Sequence, residues 1–101
     1  MTDFDPTNTA QQDADHEKAA AHAALVAKQE AEDFQWLMAD QRGRRIVWRL
    51  LAESRVFHSS FDPMAMNMAF NEGRRAEGLR LLGQVHALCP DLYPTMMKEN
   101  T

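Results

Sequence analysis

Few residue groupings in this chain are equipped for chemistry, and the densest is a set of arginines. Arg42, Arg44, Arg45 and Arg49 lie within eight positions, interleaved with Gly43 and Trp48. Guanidinium groups keep their charge at any working pH and present a planar fork of donors, which suits carboxylates and phosphates. The other candidates are weaker. His58-Ser59-Ser60 sets a base beside two hydroxyls, but sequence neighbours rarely form a nucleophile–base pair, and no GxSxG elbow accompanies them. With Asp62 they read as loop residues that satisfy backbone groups. His86 and Cys89 offer two metal ligands one turn apart, where a structural zinc needs four. Cys89 reads instead as a small buried apolar residue. Gly73, Gly78 and Gly83 match neither GxGxxG nor GxxxxGK[ST], so no phosphate loop is present. These residues point to no enzyme, no cofactor and no metal.

The arginines need a scaffold, and the sequence supplies helices. Met, Leu and Ala dominate the apolar residues and β-branched residues are scarce, which favours helix over sheet. Between Asp40 and Arg55, the positions Gly43, Ile46, Val47, Leu50, Leu51 and Ser54 recur with helical spacing. Arg42, Arg45 and Arg49 fall on the opposite side of that wheel, free to meet an acidic partner or a phosphate. Arg44, Trp48 and Arg55 form a second outward strip. A tryptophan flanked by guanidinium groups suits a protein interface or stacking on a base; the competing reading packs Trp48 beneath the first helix. Asp40 is placed to cap this helix.

Residues 1–12 read as a disordered arm, too polar to offset the entropy of ordering. Residues 13–31 form an acidic, Ala-rich helical extension whose alanine stripe buries little area. The core domain is residues 32–101. It opens with Phe34, Leu37 and Met38 on one side and Trp36 on the other. Asp62-Pro63 predicts an N-cap followed by proline at the first helical position, starting a helix that runs to about Leu88. Its apolar face is Gly78, Leu81, Leu82, Val85, Leu88 and Cys89, with Phe70 aligned above; Gly73 is a possible kink. Arg74 and Arg75 fall close to that face and are expected to be structural, pairing with an acid or with another helix's terminal carbonyls, while Gly78 allows close helix approach. Arg80 reads as a solvated residue beside Glu77. Pro90-Asp91 starts a short last helix, Leu92 to about Lys98. The expected fold is therefore all-α: three main helices, a short fourth and an acidic arm.

Charge is distributed unevenly. Residues 1–40 carry nine acids against Lys18 and Lys28, a net −7, whereas residues 41–85 carry eight arginines against four acids, a net +4. The acidic stretch is thus suited to cover the basic one, in the same chain or in a neighbouring subunit. One cysteine allows no intrachain disulfide and makes a reducing compartment the default. No run approaches the apolar length needed to span a bilayer, and Met1–Pro6 lacks the basic and apolar regions of a signal peptide.

Taken together, Trp36-Leu37, Gly43-Arg44-Arg45, Trp48-Arg49-Leu50-Leu51, Phe57 to Phe61, Phe70 to Arg75 and Gly78 to Leu82 resemble a family of short tailed-phage proteins whose prototype belongs to a Bordetella podophage. The resemblance covers about residues 33–86 and leaves out the arm and the last helix. It implies a phage or prophage origin, a setting among virion and DNA-packaging proteins, and a location in the host cytoplasm during assembly or in the virion. It brings no activity, cofactor or catalytic residue. The expected function is a non-enzymatic interaction module that docks on a larger phage structural protein (portal, connector, scaffold or capsid) through Arg42, Arg44, Arg45, Trp48 and Arg49. The alternative is a small nucleic-acid-binding protein assisting packaging. Against that alternative stand the negative total charge and the absence of a helix-turn-helix turn.

Overall fold

The computed structural model describes residues 6–101, with side chains from Asn8 onward. Four helices follow in order: α1 Pro6–Ala39, α2 Gln41–Ser54, α3 Ala65–Leu88 and α4 Leu92–Glu99. Among the described residues there is no strand, so the fold is all-α, as composition predicts. Two units divide the chain, one ending at Asp33 and the other running from Phe34 to Thr101.

The first unit is helix from Pro6 on, which corrects the expectation of a disordered arm over residues 1–12 as far as Pro6–Gln12 are concerned; residues 1–5 lie outside the described part. Proline at the first helical position is already set at a helical φ. The residues after it include no glycine, and Gln11 Nε2 donates to Asp15 Oδ1 one turn on at 3.1 Å. None of this unit's described residues is buried.

The second unit holds the core. Met38 from α1, Val47 and Leu51 from α2, Val56 from the following turn, Val85 and Cys89 from α3 and its end, and Met96 from α4 form one buried cluster. Phe34, Leu37, Trp48, Leu81, Leu82, Leu88, Leu92 and Tyr93 pack around it. Each helix contributes the spacing its sequence predicts, with two departures. The buried side of α2 is Gly43, Arg44, Val47, Leu51 and Ser54, so the helix is turned toward Arg44 and leaves Ile46 and Leu50 about half exposed. Phe70, expected above the α3 stripe, is exposed, because the buried part of α3 begins at Gly78 and the first turns meet only the loop around Ser60, on the side of Asn71 and Glu72.

The helix boundaries follow local chemistry. A single extended residue, Asp40, separates α1 from α2. It occupies the N-cap position, yet its carboxylate makes no capping bond; its backbone carbonyl accepts from Arg44 N–H at 3.0 Å instead. At the other end Arg55 closes α2 in the left-handed region, φ 58°, where glycine is the usual residue. The third helix starts later than expected: Asp62 Oδ1 accepts from Met64 N–H at 2.8 Å, a turn that places the N-cap at Met64. Gly73 does not break α3, which continues through it to Leu88.

Two glycines are required by contact and two are not. A Cβ on Gly43 would run into the Leu37 backbone carbonyl at the α1–α2 corner, and one on Gly78 would overlap the Ser54 side chain where α3 crosses α2. Gly73 and Gly83 face open space. Gly43→Ala should therefore cost about 3 kcal/mol and Gly78→Ala about 1–3 kcal/mol through overpacking. By contrast, Gly73→Ala and Gly83→Ala should each stabilise by about 0.5–1 kcal/mol through helix propensity. Urea unfolding of the four variants checks this, and an opposite sign at any position contradicts the packing described.

Candidate interaction face

The α1–α2 corner positions the arginines, and it divides them into one that is buried and three that are not. Arg44 is only 9% exposed. Its Nε donates to Glu99 Oε1 at 2.7 Å and its Nη2 to Glu99 Oε2 at 2.8 Å, while Nη1 donates to the Met38 carbonyl at 2.9 Å. The pair is a bidentate fork, the strongest geometry open to arginine. Met38 belongs to the last turn of α1, whose terminal carbonyls lack partners and carry the negative end of the helix dipole. Arg44 thus ties α1, α2 and α4 together. Placing it on an outward strip with Trp48 and Arg55 is incorrect: close approach at Gly43 turns α2 so that the next residue faces inward. Hydrogen bonding to Glu99 holds the Arg44 guanidinium above its ordinary value despite burial. The same bonds hold the Glu99 carboxyl below the usual carboxylate range.

Arg42, Arg45 and Arg49 are exposed, and among the described residues they form no hydrogen bond or ion pair. Arg42 also lines an open groove of about 580 Å³, together with Trp36, Leu37, Ala39, Asp40, Gly43 and Ile46. Trp36 is 79% exposed. Trp48 is half-buried, packs on the core and stands 5.7 Å from the Phe57 ring, so the tryptophan open to a partner is Trp36 and not Trp48. Arg, Trp and Ile around a groove resemble the anchors of protein interfaces more than a reaction centre.

The remaining candidates have structural partners. Arg75 Nε donates to the His58 carbonyl beyond the α2 end at 3.1 Å. Arg74, expected to meet an acid or another helix's carbonyls, instead stays within α3: it donates to Asn71 Oδ1 at 2.9 Å and lies over the Phe70 ring at 5.2 Å, with its buried Nε unpartnered among the described residues. Arg80 pairs with Glu77 at 3.1 Å in full solvent, a contact of small energetic weight. Ser60 bonds Glu72, and Ser59 Oγ accepts from Phe61 N–H at 3.1 Å, so the hydroxyls beside His58 pin the loop to itself and to α3. His86 stacks on Tyr93 at 4.8 Å, and burial pushes the Cys89 thiol up, away from the reactive thiolate. Among the described residues no group of three or more His, Cys, Asp or Glu could hold a metal ion, and no helix is long and apolar enough to cross a membrane.

Sequence reasoning missed a second surface. Phe61, Met64, Met66 and Phe70 are all largely exposed, Met66 at 83%. The signal was available: Met64, Met66 and Met68 at alternate positions spread around a helix, so one core cannot cover all three.

These features define a small all-α protein with a clamped corner, an open, mostly apolar groove next to exposed arginines of α2, and an uncovered Met/Phe surface. A family model for Bbp19-like phage proteins matches residues 34–98, and the chain belongs to that family. The match reaches further than the resemblance read from sequence, taking in α4 almost to its end. No curated protein and no solved structure matches the chain.

The clamp has a pH signature. A carboxyl depressed on folding contributes stability that is full above its unfolded value and is lost as pH falls through the folded one. Glu99→Gln should therefore be less stable than the wild type at pH 7, and the two unfolding midpoints should converge as pH drops below the ordinary carboxylate range. A constant difference down to low pH would show that the carboxylate is not the clamp.

Proposed function

We propose that this chain is a non-enzymatic interaction module used in phage assembly, docking through the exposed arginines of α2 and the apolar groove at the α1–α2 corner on an acidic, partly apolar surface of a larger phage structural protein. The observation carrying this reading is that Arg42 lines an open groove with the exposed Trp36 and Ile46, and that Arg45 and Arg49 stand exposed farther along the same helix without a hydrogen bond or ion pair among the described residues. A rigid corner holds them there, so little order is lost when a partner arrives. Membership of a phage protein family supports the setting, with action in the host cytoplasm and in or on the growing particle. An interaction role is favoured over catalysis because, among the described residues, the groups with a perturbed ionisation are explained by the clamp or by core burial. The charge pattern also admits a phosphate backbone as the surface gripped, the nucleic-acid alternative.

Arg42→Glu/Arg45→Glu/Arg49→Glu tests the docking. The three side chains form no hydrogen bond or ion pair among the described residues. The one interaction to watch is the Arg45 charge, which helps hold the Glu99 carboxyl low; the variant should fold with an unchanged helical spectrum. Its affinity for the structural proteins of the phage particle should fall at least about tenfold, since like charges oppose docking. Full retention in co-sedimentation with particles or assembly intermediates would overturn the proposal. If short duplex DNA is bound instead, its log–log salt slope should drop by about one unit per arginine replaced.

A further inference from the structure

The most exposed large apolar side chains of the second unit gather at two places. Trp36 stands at the groove with Ile46. Phe61, Met64, Met66 and Phe70, 62–83% exposed, surround the start of α3. At roughly 200 Å² for a large side chain, these four leave on the order of 500 Å² of apolar surface in solvent, at the upper end of what a monomer carries without a partner.

The two surfaces differ in shape and lie at opposite ends of α2. The groove is concave and takes its α2 lining from the start of that helix, Arg42, Gly43 and Ile46. Gly78 of α3 crosses Ser54 at the end of α2, whereas the Leu88 carbonyl accepts from Gln35 Nε2 near the α1–α2 corner at 3.2 Å. The third helix therefore runs back along α2, and its turns before Gly78 project about 20 Å past the crossing. No residue of Ala65–Glu77 is buried. The start of α3 thus points away from the groove of its own copy.

Charge selects how such surfaces can pair. Residues 57–73 carry Asp62 and Glu72 and no Lys or Arg; Arg74 and Arg75 follow, both engaged within the chain. Residues 40–49 carry Asp40 against Arg42, Arg45 and Arg49, with Arg44 spent in the clamp. Groove against groove sets arginines against arginines, and two α3 starts face to face set acids against acids. Only the crossed contact matches the signs.

We infer that the groove of the free protein takes the start of α3 from a second copy of this chain. Met66 and Phe70, four positions apart on one side of α3, enter as paired anchors beside Trp36 and Ile46, as an amphipathic helix fills a groove. The inference rests on reading this face as one that docks on an acidic, partly apolar surface, and it names a second copy as the first such surface met.

Sedimentation velocity on the full chain tests this. The wild type should move from monomer to larger species between about 5 and about 500 µM, the range of a small, weak interface. Trp36→Glu/Ile46→Glu removes the groove and Met66→Glu/Phe70→Glu removes the anchors, and each variant alone should stay monomeric. Mixed in equal amounts they should associate as a 1:1 pair and go no further, since each pair keeps one intact groove and one intact α3 start. Trp36→Ala/Arg42→Glu, at two exposed positions, replaces the groove variant if Ile46→Glu alters the helical spectrum. A wild type monomeric throughout that range, either variant associating alone, or a mixture that stays monomeric overturns the inference. Wild-type self-association, with particle binding untouched by Arg42→Glu/Arg45→Glu/Arg49→Glu, counts against the docking proposal alone. A monomeric wild type whose particle binding that variant abolishes counts against this inference alone.

Discussion

Burying one guanidinium is the constraint from which the rest of the second unit follows. A charge taken out of water is tolerable only where it is paired and its donors are satisfied. Arg44 meets that requirement with three donors, two on Glu99 and one on the Met38 carbonyl. The partners come from opposite ends of the unit, the last turn of α1 and the last residue of α4, 55 positions beyond Arg44. None of the three elements can move without leaving a buried charge or carbonyl unpaired. Gly43 is part of the same device, because only a residue without Cβ lets α2 come close enough to the Leu37 carbonyl for Arg44 to reach over the helix end.

That choice has consequences on the outside. The second helix carries more apolar residues than one buried stripe needs, and rotation toward Arg44 leaves Ile46 and Leu50 partly in solvent. The same rotation keeps Arg42, Arg45 and Arg49 directed outward. A mixed surface of guanidinium groups and apolar side chains is thus the geometric complement of the clamp. Loop ties do similar work on the far side: Arg75 on the His58 carbonyl and Ser60 on Glu72 fix the segment after α2. The Phe61–Phe70 region is held in place while its side chains remain open.

Much of the architecture was legible because helical periodicity reports burial directly. The stripe of α3 from Gly78 to Cys89 and the split between Met38 and Trp36 both follow from spacing alone. What spacing cannot report is which polar residue on the boundary of a stripe turns inward. Arg44 sits beside the edge of the stripe, only slightly nearer to it on the wheel than Arg55 or Trp48, too small a difference to single it out for burial. Its partner is an acid 55 residues away, and nothing in local sequence links them. The helical state of Pro6–Gln12 was missed for a different reason. Polarity argued for disorder, but a proline start and a run free of glycine are compatible with helix as well. The exposed Met/Phe surface was overlooked because methionine was counted as core material.

The family match and the folded unit nearly coincide, and the small mismatch is informative. Matched residues run from Phe34 to Lys98, against a unit of Phe34–Thr101. The matched span therefore takes in the α1–α2 corner and α4 as far as Lys98, while Glu99, the acid of the clamp, falls one residue beyond it. The edge of the match thus runs through the clamp: the Arg44 guanidinium and the Met38 carbonyl it caps lie inside, and the carboxylate that accepts from its other two donors lies one position beyond.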